Sequence, residues 1–167
     1  MTERNIRKSI SRTYHRFFKR GISGITASSR VLPNFIIIGT VRSGSTSLYY
    51  NICEHPSVLQ AAYDEIGYFD SNYDLGINWY QSMFPTQNEM KKIERKAKFA
   101  ITGEDTPFYF WKKEVVERIF ETLPNVKLIV ICRNPIDRAY SNYHLGVRYG
   151  SENLSFEDSI EDEIKFM

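Results

Sequence analysis

Two short stretches of this chain combine cations with hydroxyls in positions suited to holding oxyanions. The first is Gly39-Thr-Val-Arg42-Ser43-Gly44-Ser45-Thr46-Ser47. Glycines let backbone N–H groups approach anionic oxygens, the start of a helix adds positive potential, and the hydroxyls add donors. The second is Arg133 with Ser141, eight residues further on. One phosphate at the first stretch and another near Arg133 and Ser141 suit a nucleotide phosphorylated at two separate places. The usual triphosphate loop carries a lysine after its second glycine, and here that position is Ser45. With no strand ending in a suitably placed aspartate either, Mg²⁺-dependent handling of β- and γ-phosphates is disfavoured.

Elements must bring these stretches together. Phe35-Ile-Ile-Ile38 is a short, β-branched apolar run introduced by Pro33-Asn34, and it reads as a buried parallel strand. Residues 45–54 read as a helix stopped by His55-Pro56. Ser57 to Ala61 and Phe99 to Thr102 read as further strands, and Trp79 to Phe84 as a short helix before Pro85. Residues 88–98 form a charged, exposed segment of helical character. Val115, Val116, Ile119, Phe120 and Leu123 recur at helical spacing and predict an amphipathic helix over 111–122. Val126 to Cys132 is the clearest strand, expected to be central and covered on both faces. Asn134 and Pro135 suit the N-cap and first turn of a helix to about residue 147, and Ser155 with Asp158 starts a last one. Strands alternating with helices predict an α/β fold: a three-layer, P-loop-like domain with a central parallel sheet flanked by helices. Such sheets bind ligands beyond the carboxyl ends of their strands, where both stretches fall.

Composition narrows the class. A length of 167 residues, 42% of them hydrophobic, suits one folded domain. Cys53 and Cys132 sit far apart in apolar or helical contexts, so neither a disulfide framework nor a metal site with His15, His55 or His144 is expected. Charge is uneven: residues 1–30 carry eight basic side chains against Glu3 alone, while the rest of the chain is net acidic. We therefore separate a basic arm, 1–30, from a domain over 31–167. Ile6, Ile10, Tyr14, Phe17 and Phe18 recur in the arm at near-helical spacing. An amphipathic helix on an anionic membrane surface and a solvated leader both accommodate that pattern. No signal peptide or transmembrane run is recognisable. A cytoplasmic, at most membrane-peripheral protein is expected, with no nucleic-acid partner.

Several motifs, in order, resemble the sulfotransferases, in the branch containing heparan sulfate and bacterial carbohydrate enzymes. They are GTVRSGSTSLY from Gly39, Asp64-Glu65-Ile-Gly-Tyr-Phe-Asp70, Gly76-Ile-Asn-Trp79-Tyr80, Gly103-Glu-Asp-Thr-Pro107 and Cys132-Arg133-Asn-Pro-Ile-Asp-Arg-Ala-Tyr-Ser141. The resemblance implies a sulfuryl transfer from 3′-phosphoadenosine 5′-phosphosulfate to a hydroxyl or amine, on a carbohydrate acceptor, without a metal. It implies that Arg42, Ser43, Gly44, Ser45, Thr46 and Ser47 hold the 5′-phosphosulfate, and that Arg133 and Ser141 hold the 3′-phosphate. Arg42 stands where the family usually has lysine; a guanidinium stabilises a leaving phosphate but is a poor proton donor. Glu65 falls on the general base, needed because an alcohol is a poor nucleophile until its proton is accepted. Asp70 matches an acidic residue near the acceptor. Gly67 and Asp105 stand where the family often has histidine and lysine. Trp79 and Tyr80 either stack on a sugar or pack in the core. Family domains continue for roughly another hundred residues, so the resemblance also implies an incomplete domain with weakened turnover. Two other readings compete: a P-loop kinase or triphosphatase, and a non-catalytic module that binds polyanions through its arm.

Overall fold

The computed structural model describes residues 26–165. Four parallel strands build the sheet: β1 (Phe35–Gly39), β2 (Val58–Gln60), β3 (Ile101–Asp105) and β4 (Lys127–Val130), in the order β2-β3-β1-β4. The helices are α1 (Ser45–Cys53), α2 (Ile77–Gln81), α3 (Gln87–Ala97), α4 (Lys113–Thr122), α5 (Pro135–Tyr149) and α6 (Phe156–Lys165). Strands alternating with helices around a parallel sheet are the α/β architecture read from the sequence.

β1 is the hub. All five of its residues are buried, and it pairs with β3 on one side and β4 on the other. Alternate side chains of a strand point to opposite faces, so β1 feeds two cores. Ile36 and Ile38 join Tyr68, Phe69, Trp79, Tyr80, Met83, Phe84, Tyr109, Val115 and Ile119. Phe35 and Ile37 join Tyr49 of α1, with Leu48, Ile52, Val58 and Ile101 packed around them. Gly39 ends the strand where a Cβ would come within 2.7 Å of Phe110. Only a residue without a side chain lets the chain turn into the loop there.

The termini of α5 and α6 match the sequence reading. The Asn134 side chain accepts from the Ile136 N–H at 2.9 Å with Pro135 in the first turn, and Ser155 accepts from the Asp158 N–H at 3.1 Å. Between Ala97 and Ile101 the αL residue Lys98 turns the chain out of α3. A capping box of Thr86 and Glu89 starts that helix.

Two expectations are corrected. β4 is not central: among the described residues it pairs with β1 alone, and Leu128 and Val130 stay 44% and 43% exposed. An apolar run marks a strand, but how many neighbours it has depends on the topology. The apolar face of α4 is also narrower than its spacing implies. Val115 and Ile119 are buried, whereas Phe120 is 72% exposed because no described element lies over it. Ala27 is buried and Arg30 bridges Thr86 while donating to the Phe84 carbonyl, so residues 27–30 pack with the sheet domain.

Candidate active site

The loop after β1 turns sharply through Arg42 (φ 67°) and Gly44 (φ 94°) into α1. Gly44 occupies the N-cap in the left-handed region, which glycine reaches without penalty. No side chain caps α1. The first-turn N–H groups of a helix have no intrahelical acceptor, so those of Ser45, Thr46 and Ser47 are presented to an incoming anion. The Thr40 and Ser43 hydroxyls bond to each other, and the Ser43 N–H donates to the Thr40 carbonyl at 3.1 Å, closing the loop.

The second cationic stretch meets this loop. Arg42 Nε donates to Ser141 Oγ at 3.1 Å, and Arg133 Nη1 donates to the Arg42 carbonyl at 3.2 Å. Arg42, Arg133, Asp137, Tyr140, Ser141, His144 and Arg148 line one cavity of about 290 Å³. The Arg42 side chain thus lies on the Arg133–Ser141 side of its loop. His144 and Arg148 are additions to the residues singled out from the sequence. Both follow Ser141 at helical spacing on α5, a signal that could have found them.

β3 carries the opposite charge. Glu104 is fully buried and receives hydrogen bonds from the hydroxyls of Tyr80 (2.6 Å), Thr106 (2.8 Å) and Tyr109 (3.4 Å). Burial raises its carboxyl to about 7, although those hydrogen bonds pull the other way. Thr106 Oγ1 in turn accepts the Gly67 N–H at 3.2 Å, and the Tyr109 hydroxyl accepts the Phe69 N–H at 3.2 Å. The segment carrying Glu65 and Asp70 is therefore hung on Glu104 through two hydroxyls. Glu65 itself has φ 52°. A non-glycine residue there costs of order 1–3 kcal/mol, which surrounding structure must offset. Arg42, Glu65 and Lys98 are the described non-glycine residues with positive φ, and two of them are the residues to which the sequence reading gave chemistry.

Asp105 joins the two sides. Its carbonyl accepts the Glu65 N–H at 2.9 Å, and the Thr106 N–H reaches back to the Ile37 carbonyl at 3.0 Å. Its carboxyl is wholly buried and neither oxygen completes a hydrogen bond. Burial raises it to about 7; the approach of the Thr46 hydroxyl lowers it, and the carboxylates of Asp64 and Glu65 raise it further. Thr46 of the loop and Glu65 thus both act on one carboxyl.

Beside that point lies a second cavity, of about 250 Å³, lined by Glu65, Asp70, Tyr63, Trp79, Asn72, Thr106 and Phe108 among others. Glu65, Asp70 and Trp79 meet there. Tyr80 does not line it; its ring is in the core and its hydroxyl is spent on Glu104. Trp79, only 1% exposed, contributes to the wall mainly as packing.

A parallel sheet with a glycine-hinged loop, arginines at the neighbouring strand end and a carboxylate-lined cavity alongside makes this an α/β protein with its charged groups gathered at one rim of the sheet. Residues 32–165 match the family model described as "Sulfotransferase domain", and the chain belongs to that family. It is 38% identical over 138 residues to the membrane-associated sulfotransferase kil1 of Dictyostelium discoideum, covering 79% of this chain and 28% of that protein. It is also 38% identical over 114 residues to human heparan sulfate glucosamine 3-O-sulfotransferase 5, covering 67% and 30%. A crystal structure of a sulfotransferase from Alicyclobacillus acidocaldarius superposes with a TM-score of 0.60 at 27% identity, over 81% of this chain and 58% of that one. The chain thus spans less than a third of these two curated relatives. Among the described residues, no helix is long and apolar enough to cross a membrane.

Proposed function

We propose that this chain carries the donor-binding and proton-accepting parts of a sulfotransferase that uses 3′-phosphoadenosine 5′-phosphosulfate and a carbohydrate acceptor. The contact that carries this reading is Arg42 Nε to Ser141 Oγ at 3.1 Å, because it joins the two cationic stretches at one rim of the sheet. A nucleotide bearing separate 3′ and 5′ anions spans such a pair; an anion of one site does not need it. The amides opening α1, with the hydroxyls of Ser43, Ser45, Thr46 and Ser47, take the 5′-phosphosulfate. Arg133 and Ser141 take the 3′-phosphate, and Arg42 stands between them.

In the transfer, Glu65 accepts the proton of the acceptor hydroxyl as its oxygen bonds to sulfur. The bond from sulfur to the bridging phosphate oxygen breaks, and its electron pair stays on the 5′-phosphate. The products are a sulfate ester and adenosine 3′,5′-bisphosphate. Helix-end amides and the fixed arginine charge offset the growing negative charge on the leaving group. The same proposal places the protein in the cytoplasm, with the basic arm ahead of Ala27 contacting an anionic membrane surface. Co-sedimentation with phosphatidylserine vesicles, but not with phosphatidylcholine vesicles, is the expected result for that contact.

Titration calorimetry with adenosine 3′,5′-bisphosphate tests the donor site. Binding is expected, and Arg133→Ala should weaken it at least tenfold while leaving the melting temperature within about 2 °C. Absence of binding, or indifference to Arg133, overturns the reading.

A further inference from the structure

Asp105 ends β3 opposite Ile37 of β1, two residues before Gly39 opens the loop into α1. α1 lies over this corner: the Tyr49 hydroxyl donates to the Gly103 carbonyl at 3.2 Å and accepts the Ala61 N–H at 2.9 Å. The Asp105 carboxyl is wholly buried, and neither of its oxygens makes a hydrogen bond. The hydroxyl nearest to it in chemical effect is that of Thr46, in the first turn of α1. Thr46 is half-buried, so part of it still meets solvent. Ionisable groups of several elements act on the same carboxyl: Asp64 and Glu65 from the segment after β2, Glu104 from β3, and Tyr49 and Cys53 from α1. The cation of the loop, Arg42, donates to Ser141 instead.

A charged carboxyl in that setting is unfavourable, and a neutral one carries a proton that needs an acceptor. The Thr46 hydroxyl has one proton to give and lone pairs with which to receive. A carboxylate at Asp105 draws that proton inward and leaves only lone pairs facing out. A protonated Asp105 donates to Thr46 Oγ1, and the hydroxyl proton is then free for a group in front of α1. An oxyanion seated there prefers the protonated acid for two reasons: it gains a donor, and it avoids a second negative charge nearby.

We propose that Asp105 is a positioning residue acting through the Thr46 hydroxyl, taking one proton from solvent as the loop opening α1 receives an oxyanion and returning it as the oxyanion leaves. The proposal rests on the reading of that loop as the seat of the 5′ anion. Burial, which raises the Asp105 carboxyl to about 7, brings the exchange within reach of neutral pH.

Calorimetric titration of the full chain with adenosine 3′,5′-bisphosphate at about pH 7.5, repeated in buffers of different ionisation enthalpy, counts the protons taken up on binding. The ligand's own phosphates and His144 add to that count. The decisive quantity is therefore the difference from Asp105→Asn, whose amide donates to Thr46 as the protonated acid would. Wild type should take up at least about half a proton more than this variant, and its affinity should fall at least threefold more between about pH 6 and about pH 8. Asp105→Ala, which supplies no donor, should bind at least threefold more weakly than Asp105→Asn. Equal proton counts in wild type and Asp105→Asn, or an asparagine variant that binds no better than the alanine one, overturn the proposal. Should Asp105→Asn not fold, difference infrared spectra of the wild type decide. Nucleotide added at about pH 8 should bring up the carbonyl band of a protonated carboxyl, and its absence is equally fatal.

Inorganic pyrophosphate is titrated in parallel. If it binds with the Asp105-dependent uptake while the bisphosphate does not bind, the donor reading falls and the proton link stands. If the bisphosphate binds without that uptake, the donor reading stands and the link falls. If neither binds, both fall.

Discussion

The β4–α5 side and the β3 side of this molecule are built on opposite plans. Around α5 the functional groups are cations on exposed or half-exposed backbone, and no residue of that helix is buried. Around β3 they are carboxyls at or behind a packed wall, tied to a core of Tyr80, Tyr109, Phe69 and Trp79. Cations for anion binding need reach and hydration, so they tolerate a loose setting. A carboxylate proposed to take a proton at a fixed point needs its loop held, and here Glu104, a buried acid one residue from the end of β3, does the holding. Chemistry and stability should therefore be separable on the first side and entangled on the second.

The largest expected effect lies at the meeting of the two. Glu65→Gln should cut sulfuryl transfer by about 10²–10⁴-fold, the usual contribution of a positioned base, while adenosine 3′,5′-bisphosphate binds as before. Steady-state rates with calorimetry on the same variant check it, and an active Glu65→Gln protein would remove the base from the scheme. Next in size is the acid inside the core. Tyr80→Phe deletes the 2.6 Å hydrogen bond to Glu104 and should cost about 1–3 kcal/mol in urea unfolding. If it proves neutral, the Glu104 network is not what holds the loop.

The pH dependence follows from the same group. Glu104 and Asp105 each titrate near about 7 in the folded state, above their ordinary range. Between about pH 4 and 7 the native protein keeps protons that the unfolded chain has released. Stability is therefore greatest below the unfolded values and is lost as pH rises through about 7, by on the order of a few kcal/mol for each group. Thermal melts from pH 5 to 8 should fall, and Glu104→Gln should flatten the curve. The smallest effect sharpens the contrast from outside: Phe120→Gln, at a 72% exposed position, should change stability by no more than about 0.5 kcal/mol.

Much of the anion side was legible because its signals are local. A fully buried β-branched run with two glycines and hydroxyls behind it, and an Asn-Pro helix start, are each read from a short local stretch. That Arg42 reaches Ser141, 99 positions away, depends on β4 lying next to β1, and the place of β4 in the sheet was not legible, since apolarity says nothing of neighbours. The carboxyl side was legible only through motif resemblance. In sequence, Glu104 looks like an acid in a turn. Its burial depends on Tyr80, 24 residues earlier, and on Tyr109, five residues later, folding over it. Of the two roles offered for Tyr80, stacking on a sugar or packing in the core, the structure shows the second: it is buried, its hydroxyl donates to Glu104 and it has no surface in the cavity.

The outer strand has a practical consequence for anyone handling the protein. Among the described residues, β4 offers backbone donors and acceptors on one flank, with Leu128 and Val130 beside them. Polypeptide edges of that kind recruit further strands from whatever chain is at hand. Concentration, more than temperature, is then expected to govern how long a preparation stays monodisperse, with light scattering rising in dense samples well before either cavity loses its shape.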